Sequence, residues 1–381
     1  MTDFTYHNPT KIEFGKEKEK HIGEAMKHDG FTKILLCYGS ERIKQDGLYD
    51  TITASLKENG IGWVELCGIV SNPKLSKVKE GIKLAKKENV QAILAIGGGS
   101  VLDSAKTIAV GALCKNDIWD FFIGKADIQS ALPVYAVMTL AATGSEMNGF
   151  AVVTNEEMKQ KFSIRSEYIY PRLSILNPTL TQSVPNDYLA YSAVDIIAHV
   201  IEGYFTASHQ PHFQSRMVET IVKTVMETTE ILLKNPKDYE ARAEFMWAAT
   251  QALNGSTTAG TNATRFPNHM IEHSLSALFN IAHGAGLAII IPAWMQWYKK
   301  HNKAQFKRFA DEIFKKESAK EGIEALKAWF EKIGAPVNLK QANIGKSDIP
   351  AIAQNAAQTA IFWGMDDEYT QETIEEILHN A

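Results

Sequence analysis

Residues 92–112 read AILAIGGGSVLDSAKTIAVGA, a strand-like apolar run that passes through three glycines and a serine into a helical pattern. Glycines at such a turn let a ligand approach the backbone, and the N–H groups that open a helix bind anions such as pyrophosphate. The stretch departs from G-x-G-x-x-G because Leu102 stands where the last glycine belongs. We predict a strand-turn-helix unit that binds a dinucleotide through Gly97, Gly98, Gly99 and Ser100.

The segments on both sides of this unit repeat its alternation of strand and helix. This alternation is typical of a parallel sheet built from βαβ units, whereas every long segment after Pro185 has helical periodicity. We therefore predict a Rossmann-like α/β domain with a parallel sheet over residues 1–185 and an all-α domain over 186–381. The predicted strands are KILLCY (33–38), GWVELC (62–67), QAILAI (91–96), LPVYAVMT (132–139) and LSIL (173–176).

Composition excludes several classes of function. The 381 residues are 45% hydrophobic and 22% charged, and 40 basic against 44 acidic side chains leave a net charge of −4. Such a balance favours neither nucleic acid nor a membrane surface as a partner, so we expect a small-molecule ligand. Three cysteines without a C-x-x-C pair indicate a reducing compartment, and the N-terminal residues lack an apolar leader pattern. We expect a cytoplasmic protein.

A second candidate ligand loop, TLAATGSEMN (139–148), follows the fourth predicted strand. The carboxyl ends of parallel strands share one edge of a sheet, and open α/β sheets bind ligands at that edge. We therefore expect this loop to lie beside the glycine loop and to contact the same dinucleotide. Its predicted contact residues are Thr139, Leu140, Thr143 and Ser145.

The first predicted strand ends in CYGSERIKQDG (37–47), which bears on the choice of dinucleotide. Small polar groups beside a cation suit the 2′-phosphate of NADP, so we predict Gly39, Ser40 and Arg42 as cofactor contacts. An acidic residue at this point suits the ribose hydroxyls of NAD, so Glu41 keeps NAD open. The pattern favours NADP.

Two stretches of the predicted helical domain suggest a metal site. In SAVDIIAHVIEGY (192–204), Asp195 and His199 share one face of an apolar helix, although a buried Asp–His hydrogen bond explains such a pair better than a metal does when it stands alone. HMIEHSLSALFNIAHG (269–284) adds three histidines. In one straight helix His269 and His283 would lie about 21 Å apart, so a turn near Asn280, with glycines breaking the helix, is required. An aspartate and three histidines then suit Fe²⁺ or Zn²⁺.

The letters HMIEH also match the H-x-x-E-H pattern of a group of zinc peptidases. In that reading Glu272 is the base, and His269 and His273 bind zinc. We disfavour it because the glycine loop and the Asp195–His199 pair would then have no role.

In these segments the chain resembles the iron-containing (group III) alcohol dehydrogenases, in particular their NADP-dependent butanol dehydrogenase and aldehyde reductase branch. YHNPTKIEFGKE, GGGSVLDSAK, AATGSEMN, DIIAHVIE and HMIEHSLSALFNIAHGAG occur in the family's order along nearly the whole chain. The resemblance implies a homodimer, a dehydroquinate-synthase-like fold and His273 beside the metal without binding it. It also implies metal ligands at Asp195, His199, His269 and His283, and cofactor contacts that include Thr139, Thr143, Lys161 and Leu180.

The activity that follows is metal-dependent hydride transfer between NADP(H) and a primary alcohol or aldehyde. We expect His273 to relay a proton and Asp103, one turn into the glycine-loop helix, to orient the ribose or nicotinamide. Three alternatives remain: an enzyme like dehydroquinate synthase, one like glycerol dehydrogenase, or a nucleotide-binding regulator without turnover. Apolar neighbours of the predicted ligands, such as Phe266 and Met270, disfavour the highly anionic substrate of the first.

Overall fold

The computed structural model describes all 381 residues, and the chain divides into two compact units. An α/β unit comprises residues 8–158 and 162–183, and a helical unit comprises 1–7, 159–161 and 184–381. The division predicted at residue 185 lies just after the last change of unit. The first seven residues and residues 159–161 are grouped with the helices, which the sequence pattern does not indicate.

Six parallel strands form the sheet of the α/β unit, in the order β1-β8-β5-β4-β2-β3. Strands β2 and β4, which pair with each other, are almost wholly buried because their runs of leucine, isoleucine and alanine face helices or core on both sides. The predicted fold class, a parallel α/β region followed by a helical region, is confirmed. The strands are β1 Lys11–Phe14, β2 Lys33–Tyr38, β3 Gly62–Leu66, β4 Ala92–Gly97, β5 Val134–Met138, β6 Phe150–Asn155, β7 Gln160–Arg165 and β8 Leu173–Leu176.

Three of these strands were not predicted. Strand β1 is a partly exposed four-residue edge strand paired in parallel with β8, and its sequence KIEF is too short and too charged to stand out. Strands β6 and β7 form a separate two-stranded sheet. Short or marginal strands depend on their neighbours for pairing, so sequence pattern alone gives little signal for them.

Helices connect the strands of the α/β unit. Helix α5 begins at Gly99, directly after β4 ends at Gly97, which sets the glycine turn at the carboxyl edge of the sheet. Apolar residues of α1, α2 and α3 pack with strand residues of the sheet in one core cluster. The helices of this unit are α1 Ile22–His28, α2 Arg42–Gln45, α3 Leu48–Glu58, α4 Leu75–Glu88, α5 Gly99–Leu113 and α6 Trp119–Phe122.

Nine helices make up the body of the helical unit. Helices α7 and α11 are buried along nearly their whole length, because they are apolar on almost every face. No helix of the chain combines the length and the apolar character needed to cross a bilayer. The nine are α7 Asn186–Thr206, α8 His212–Lys234, α9 Tyr239–Ala252, α10 Pro267–Phe279, α11 His283–Tyr298, α12 Lys303–Phe314, α13 Ala319–Lys332, α14 Ile349–Phe362 and α15 Gln371–Leu378.

The turn between α10 and α11 reverses the chain where the sequence requires it. Asn280 ends α10 with a φ of 52°, a left-handed conformation that asparagine tolerates. The expectation that glycines break the helix is wrong, because Gly284 and Gly286 lie inside α11. A Cβ atom on Gly284 would lie 2.0 Å from the carbonyl oxygen of Tyr191, so this glycine allows α11 to pack closely on α7.

Candidate metal centre and dinucleotide loops

Four donor atoms from three helices converge in the helical unit. Asp195 and His199 lie one turn apart on α7, His269 lies on α10, and His283 is the first residue of α11. The Oδ1 atom of Asp195 is 3.5 Å from Nε2 of His199, 3.7 Å from Nε2 of His269 and 3.6 Å from Nε2 of His283. The structure thus brings together the four residues that the resemblance implies as metal ligands.

Two of these donor atoms lack a partner within the protein. Oδ1 of Asp195 and Nε2 of His269 are buried and make no hydrogen bond. Buried polar atoms without partners are costly, and native proteins rarely leave them so. A divalent cation would satisfy both, and three imidazole nitrogens with one carboxylate oxygen suit Fe²⁺ and Zn²⁺. By this test the residues present fit a bound divalent metal.

Burial and mutual charge set the protonation of this cluster. Burial disfavours a charged Asp195, but the nearby imidazoles outweigh that effect and hold its pKa well below the usual range. Burial lowers the pKa of His199 to about 3. Burial also opposes a charged His269, yet Glu202 and Asp195 raise its pKa to about 10. Asp195 therefore offers a carboxylate and His199 a neutral imidazole at neutral pH.

Two buried glutamates hold the outer nitrogens of two histidines. The sequence analysis did not identify Glu202, and it named Glu272 only as the base of the disfavoured peptidase alternative. Glu202 accepts hydrogen bonds from the backbone N–H of Asn268 and His269, and its Oε2 lies 2.9 Å from Nδ1 of His269. Glu272 is hydrogen-bonded to Nδ1 of His283. A signal for Glu202 was available, because it follows Asp195 by seven residues on the same face of an apolar helix.

His273 lies beside the Asp195 cluster, with its ring centroid 5.8 Å from that of His283. Its Nδ1 is 2.9 Å from the carbonyl oxygen of Lys161, and its ring meets Trp363 edge-on with centroids 5.3 Å apart. Burial lowers its pKa well below the usual value, so the ring is neutral and donates from Nδ1 to that carbonyl. The peptidase pairing does not form, because His269 groups with Asp195 whereas His273 groups with Glu272 and His283.

In the α/β unit the two predicted dinucleotide loops touch each other. The backbone N–H of Thr139 donates to the carbonyl of Gly97 over 2.9 Å. A Cβ atom on Gly98 would lie 3.1 Å from Leu140, and one on Gly99 would lie 2.5 Å from Thr143. The glycines therefore leave room for the second loop, and the structure brings the two loops together at one sheet edge.

Asp103 and Ser145, both predicted at the cofactor, are hydrogen-bonded to each other. The hydroxyl of Ser145 donates to Oδ1 of Asp103 over 2.7 Å, and the backbone N–H of Val152 donates to Oδ2 over 3.0 Å. The buried ammonium of Lys106 donates to Ser145 and to oxygens of Asn148 and Phe150. Burial lowers the pKa of Lys106 to about 8. These side chains tie the second loop to α5.

The remaining predicted contacts are distributed between the two units. Gly39 and Ser40 follow β2, and Arg42 donates to the carbonyl of Ser183 over 3.2 Å and lies 3.6 Å from Asp46. Leu180 is half-buried against the sheet core, and Ser100 lies in the first turn of α5. Lys161 belongs to the helical unit, where its Nζ lies 3.6 Å from Glu272.

Comparison with known proteins gives the same family over both parts of the chain. The model described as iron-containing alcohol dehydrogenase matches residues 9–178, and that described as Fe-containing alcohol dehydrogenase family, C-terminal, matches 189–381. The chain is 41% identical to the probable NADH-dependent butanol dehydrogenase 2 of Bacillus subtilis, covering 94% of this chain and 93% of that one. It is 34% identical to the NADPH-dependent aldehyde reductase YqhD of Escherichia coli, covering 92% of each. The crystal structure of NADH-dependent butanol dehydrogenase A from Thermotoga maritima superposes with a TM-score of 0.96 at 46% identity, covering 100% of this chain and 99% of that one.

Proposed function

We propose that this chain interconverts short primary alcohols and their aldehydes with NAD(H). The chain belongs to the iron-containing alcohol dehydrogenase family and is a metal-dependent alcohol/aldehyde oxidoreductase. The observation that carries the proposal is the convergence of four donor atoms on one point, with Oδ1 of Asp195 and Nε2 of His269 left without protein partners. Asp195, His199, His269 and His283 would hold the metal.

The metal, when bound there, supplies a Lewis acid for the substrate oxygen. The Nδ1–H group of His273 donates to the carbonyl oxygen of Lys161. Nε2 is therefore the ring nitrogen that can accept a proton from the substrate. The dinucleotide, when bound, would supply the hydride acceptor for alcohol oxidation, and Nε2 of His273 would take the hydroxyl proton. In aldehyde reduction the same nitrogen returns a proton to the oxygen. The apolar rings of Phe266 and Trp363, which contact His269 and His273, help to exclude water.

The α/β unit would bind the dinucleotide. The backbone N–H groups at the start of α5 suit the pyrophosphate, and the loop over 139–148 would contact the rest of the cofactor. Asp103 has both carboxylate oxygens engaged by Ser145 and Val152, so we assign it to holding that loop rather than to direct catalysis.

NADH is the preferred dinucleotide in this proposal, which reverses the preference that the sequence pattern favoured. Arg42 already binds the carbonyl of Ser183 and lies beside Asp46, so it is less available to a 2′-phosphate. Glu41, exposed next to it, suits ribose hydroxyls. The relatives named as butanol dehydrogenases are called NADH-dependent, whereas YqhD is called NADPH-dependent.

The proposal is tested by removing and restoring the metal. Protein stripped with a chelator is given Fe²⁺ or Zn²⁺ separately, and oxidation of NADH and NADPH is followed with butanal as substrate. We expect no turnover in the stripped protein and recovery with Fe²⁺ and NADH. Turnover that is unaffected by stripping would refute the metal role, and a higher kcat/KM with NADPH would refute the choice of dinucleotide.

We also propose a homodimer in the cytoplasm. The support is the family resemblance and the charge and cysteine pattern of the sequence. Light scattering after gel filtration tests the dimer, since a monomeric mass of 42.3 kDa would exclude it.

A further inference from the structure

The glutamate of HMIEH, which the peptidase reading treats as a base, has a different set of partners. Glu272 is fully buried, hydrogen-bonded through Oε2 to Nδ1 of His283 and through Oε1 to the hydroxyl of Ser276. The ammonium of Lys161 lies 3.6 Å from Oε2 of Glu272 and 3.2 Å from the hydroxyl of Ser276. The Lys161 side chain is only 4% exposed, so this is an ion pair in the interior.

His269 and His283 are held in parallel ways. Each ring places Nδ1 against a buried glutamate, Glu202 or Glu272, and turns Nε2 toward Asp195. A carboxylate that accepts the Nδ1–H of a histidine fixes the tautomer in which Nε2 carries the lone pair. The two sides differ in that a lysine, Lys161, lies beside the carboxylate of Glu272.

The formal charges of the buried side chains around the proposed metal site sum to the opposite of a divalent cation's charge. Asp195, Glu202 and Glu272 supply three negative charges, and Lys161 supplies one positive charge. Buried charges are tolerated when they are neutralised nearby. A dication completes that neutralisation, and without Lys161 one negative charge would remain.

Gly286 makes room for this arrangement. A Cβ atom at that position would lie 2.7 Å from Oε1 and 2.8 Å from Cγ of Glu272. A methyl group at position 286 would displace the carboxylate of Glu272, but it would remove none of the metal-binding or hydrogen-bonding atoms. The glycine therefore offers a way to disturb the position of Glu272 without changing its chemistry.

We propose that Glu272 and Lys161 are a positioning pair for His283: Glu272 orients the ring so that Nε2 faces Asp195, and Lys161 neutralises the carboxylate. The inference rests on the proposed metal site. It assigns neither residue to contact with the metal, and it gives Gly286 the role of accommodating Glu272.

The experiment compares four proteins with the parent: Glu272→Gln, the double variant Glu272→Gln/Lys161→Met, Gly286→Ala and the control Gly322→Ala. The control adds a similar clash, because a Cβ on Gly322 would lie 2.6 Å from Cβ of Ala310, but it contacts α12 rather than the metal cluster. For each protein the Zn²⁺ dissociation constant is measured by competition with a chromogenic chelator, and the melting temperature of the stripped form is recorded.

Glu272→Gln and Gly286→Ala are expected to weaken Zn²⁺ binding by about 10- to 100-fold, the usual effect of losing an outer partner of a metal-binding histidine. Gly322→Ala should bind Zn²⁺ as the parent does. The double variant also removes the buried Lys161 charge that residue 272 no longer neutralises, so it should melt higher than Glu272→Gln while its Zn²⁺ affinity stays low.

A double variant that binds Zn²⁺ as tightly as the parent would overturn the inference, because Glu272 would then serve only as the partner of Lys161. Unchanged affinity in both Gly286→Ala and Glu272→Gln would overturn it as well. A parent protein that binds no divalent metal is a different result, since it refutes the proposed function itself.

Discussion

Two buried polar clusters in this chain contain similar groups but differ in how their atoms are satisfied. In the α/β unit, the ammonium of Lys106 is surrounded by oxygens, and Asp103 accepts two hydrogen bonds. In the helical unit, Oδ1 of Asp195 and Nε2 of His269 face each other with no hydrogen bond. The first cluster is complete and holds the protein together, whereas the second needs an ion to be complete.

The largest effect is expected when a metal ligand is removed from the incomplete cluster around Asp195. His199→Ala should weaken Zn²⁺ binding by more than about 100-fold, above the range for an outer partner, and butanal reduction should fall with it. The imidazole supplies one of only four donors, and the carboxylate one turn further along α7, Glu202, already holds Nδ1 of His269. Metal content and turnover are measured together, with the exposed His209→Ala as the matched control. Full metal content in His199→Ala would contradict its role as a ligand.

Removing an outer partner should have a smaller effect. Glu202→Gln keeps the shape of the side chain but loses the charge that holds Nδ1 of His269 and two backbone N–H groups. We expect about 10- to 100-fold weaker Zn²⁺ binding, measured by chelator competition. NADH affinity is the internal control and should stay unchanged, because Glu202 belongs to the helical unit.

Disturbing the complete cluster should give the opposite pattern. Lys106→Met removes the donor that ties Ser145, Asn148 and Phe150 to α5, so the second dinucleotide loop should loosen. We expect NADH binding, followed by fluorescence titration, to weaken by roughly tenfold, the equivalent of one hydrogen bond of about 1.4 kcal/mol. Zn²⁺ affinity should not change. A loss of Zn²⁺ with intact NADH binding would reverse the roles assigned to the two clusters.

The smallest expected effect per pH unit is a pH dependence of stability. The pKa of Lys106 is about 8 in the folded protein, against 10.5 for an ordinary lysine. Between about pH 8 and 10.5, Lys106 is protonated in the unfolded chain and neutral in the folded protein. The free energy of unfolding should therefore rise with pH in this range, by at most about 1.4 kcal/mol per pH unit. Lys106→Met should lack this rise. Urea unfolding of both proteins at pH 7, 8, 9 and 10 measures it, and identical slopes would show that Lys106 is not shifted.

Local patterns account for the part of this structure that was predictable. The run from Ala92 through the glycines into α5 is contiguous, and Asp195 and His199 share a face by helical spacing alone. Asn280 could be expected at the reversal, because it tolerates the left-handed conformation seen there.

Long-range partners account for the rest. Glu272 meets Lys161, which lies more than a hundred residues earlier in the chain, and Asp103 meets Val152 across the α5–β6 packing. No local signal reveals such pairs. Asp103 was therefore expected at the cofactor, although the fold turns it toward the second loop.

The most direct test of the central claim is an anomalous difference map at the zinc edge, from crystals of the Zn²⁺-loaded parent. We predict one peak per chain, about 2.0–2.2 Å from an oxygen of Asp195 and from Nε2 of His199, His269 and His283. A peak bound elsewhere, or no peak at these four residues in a protein that reduces butanal, would contradict the account.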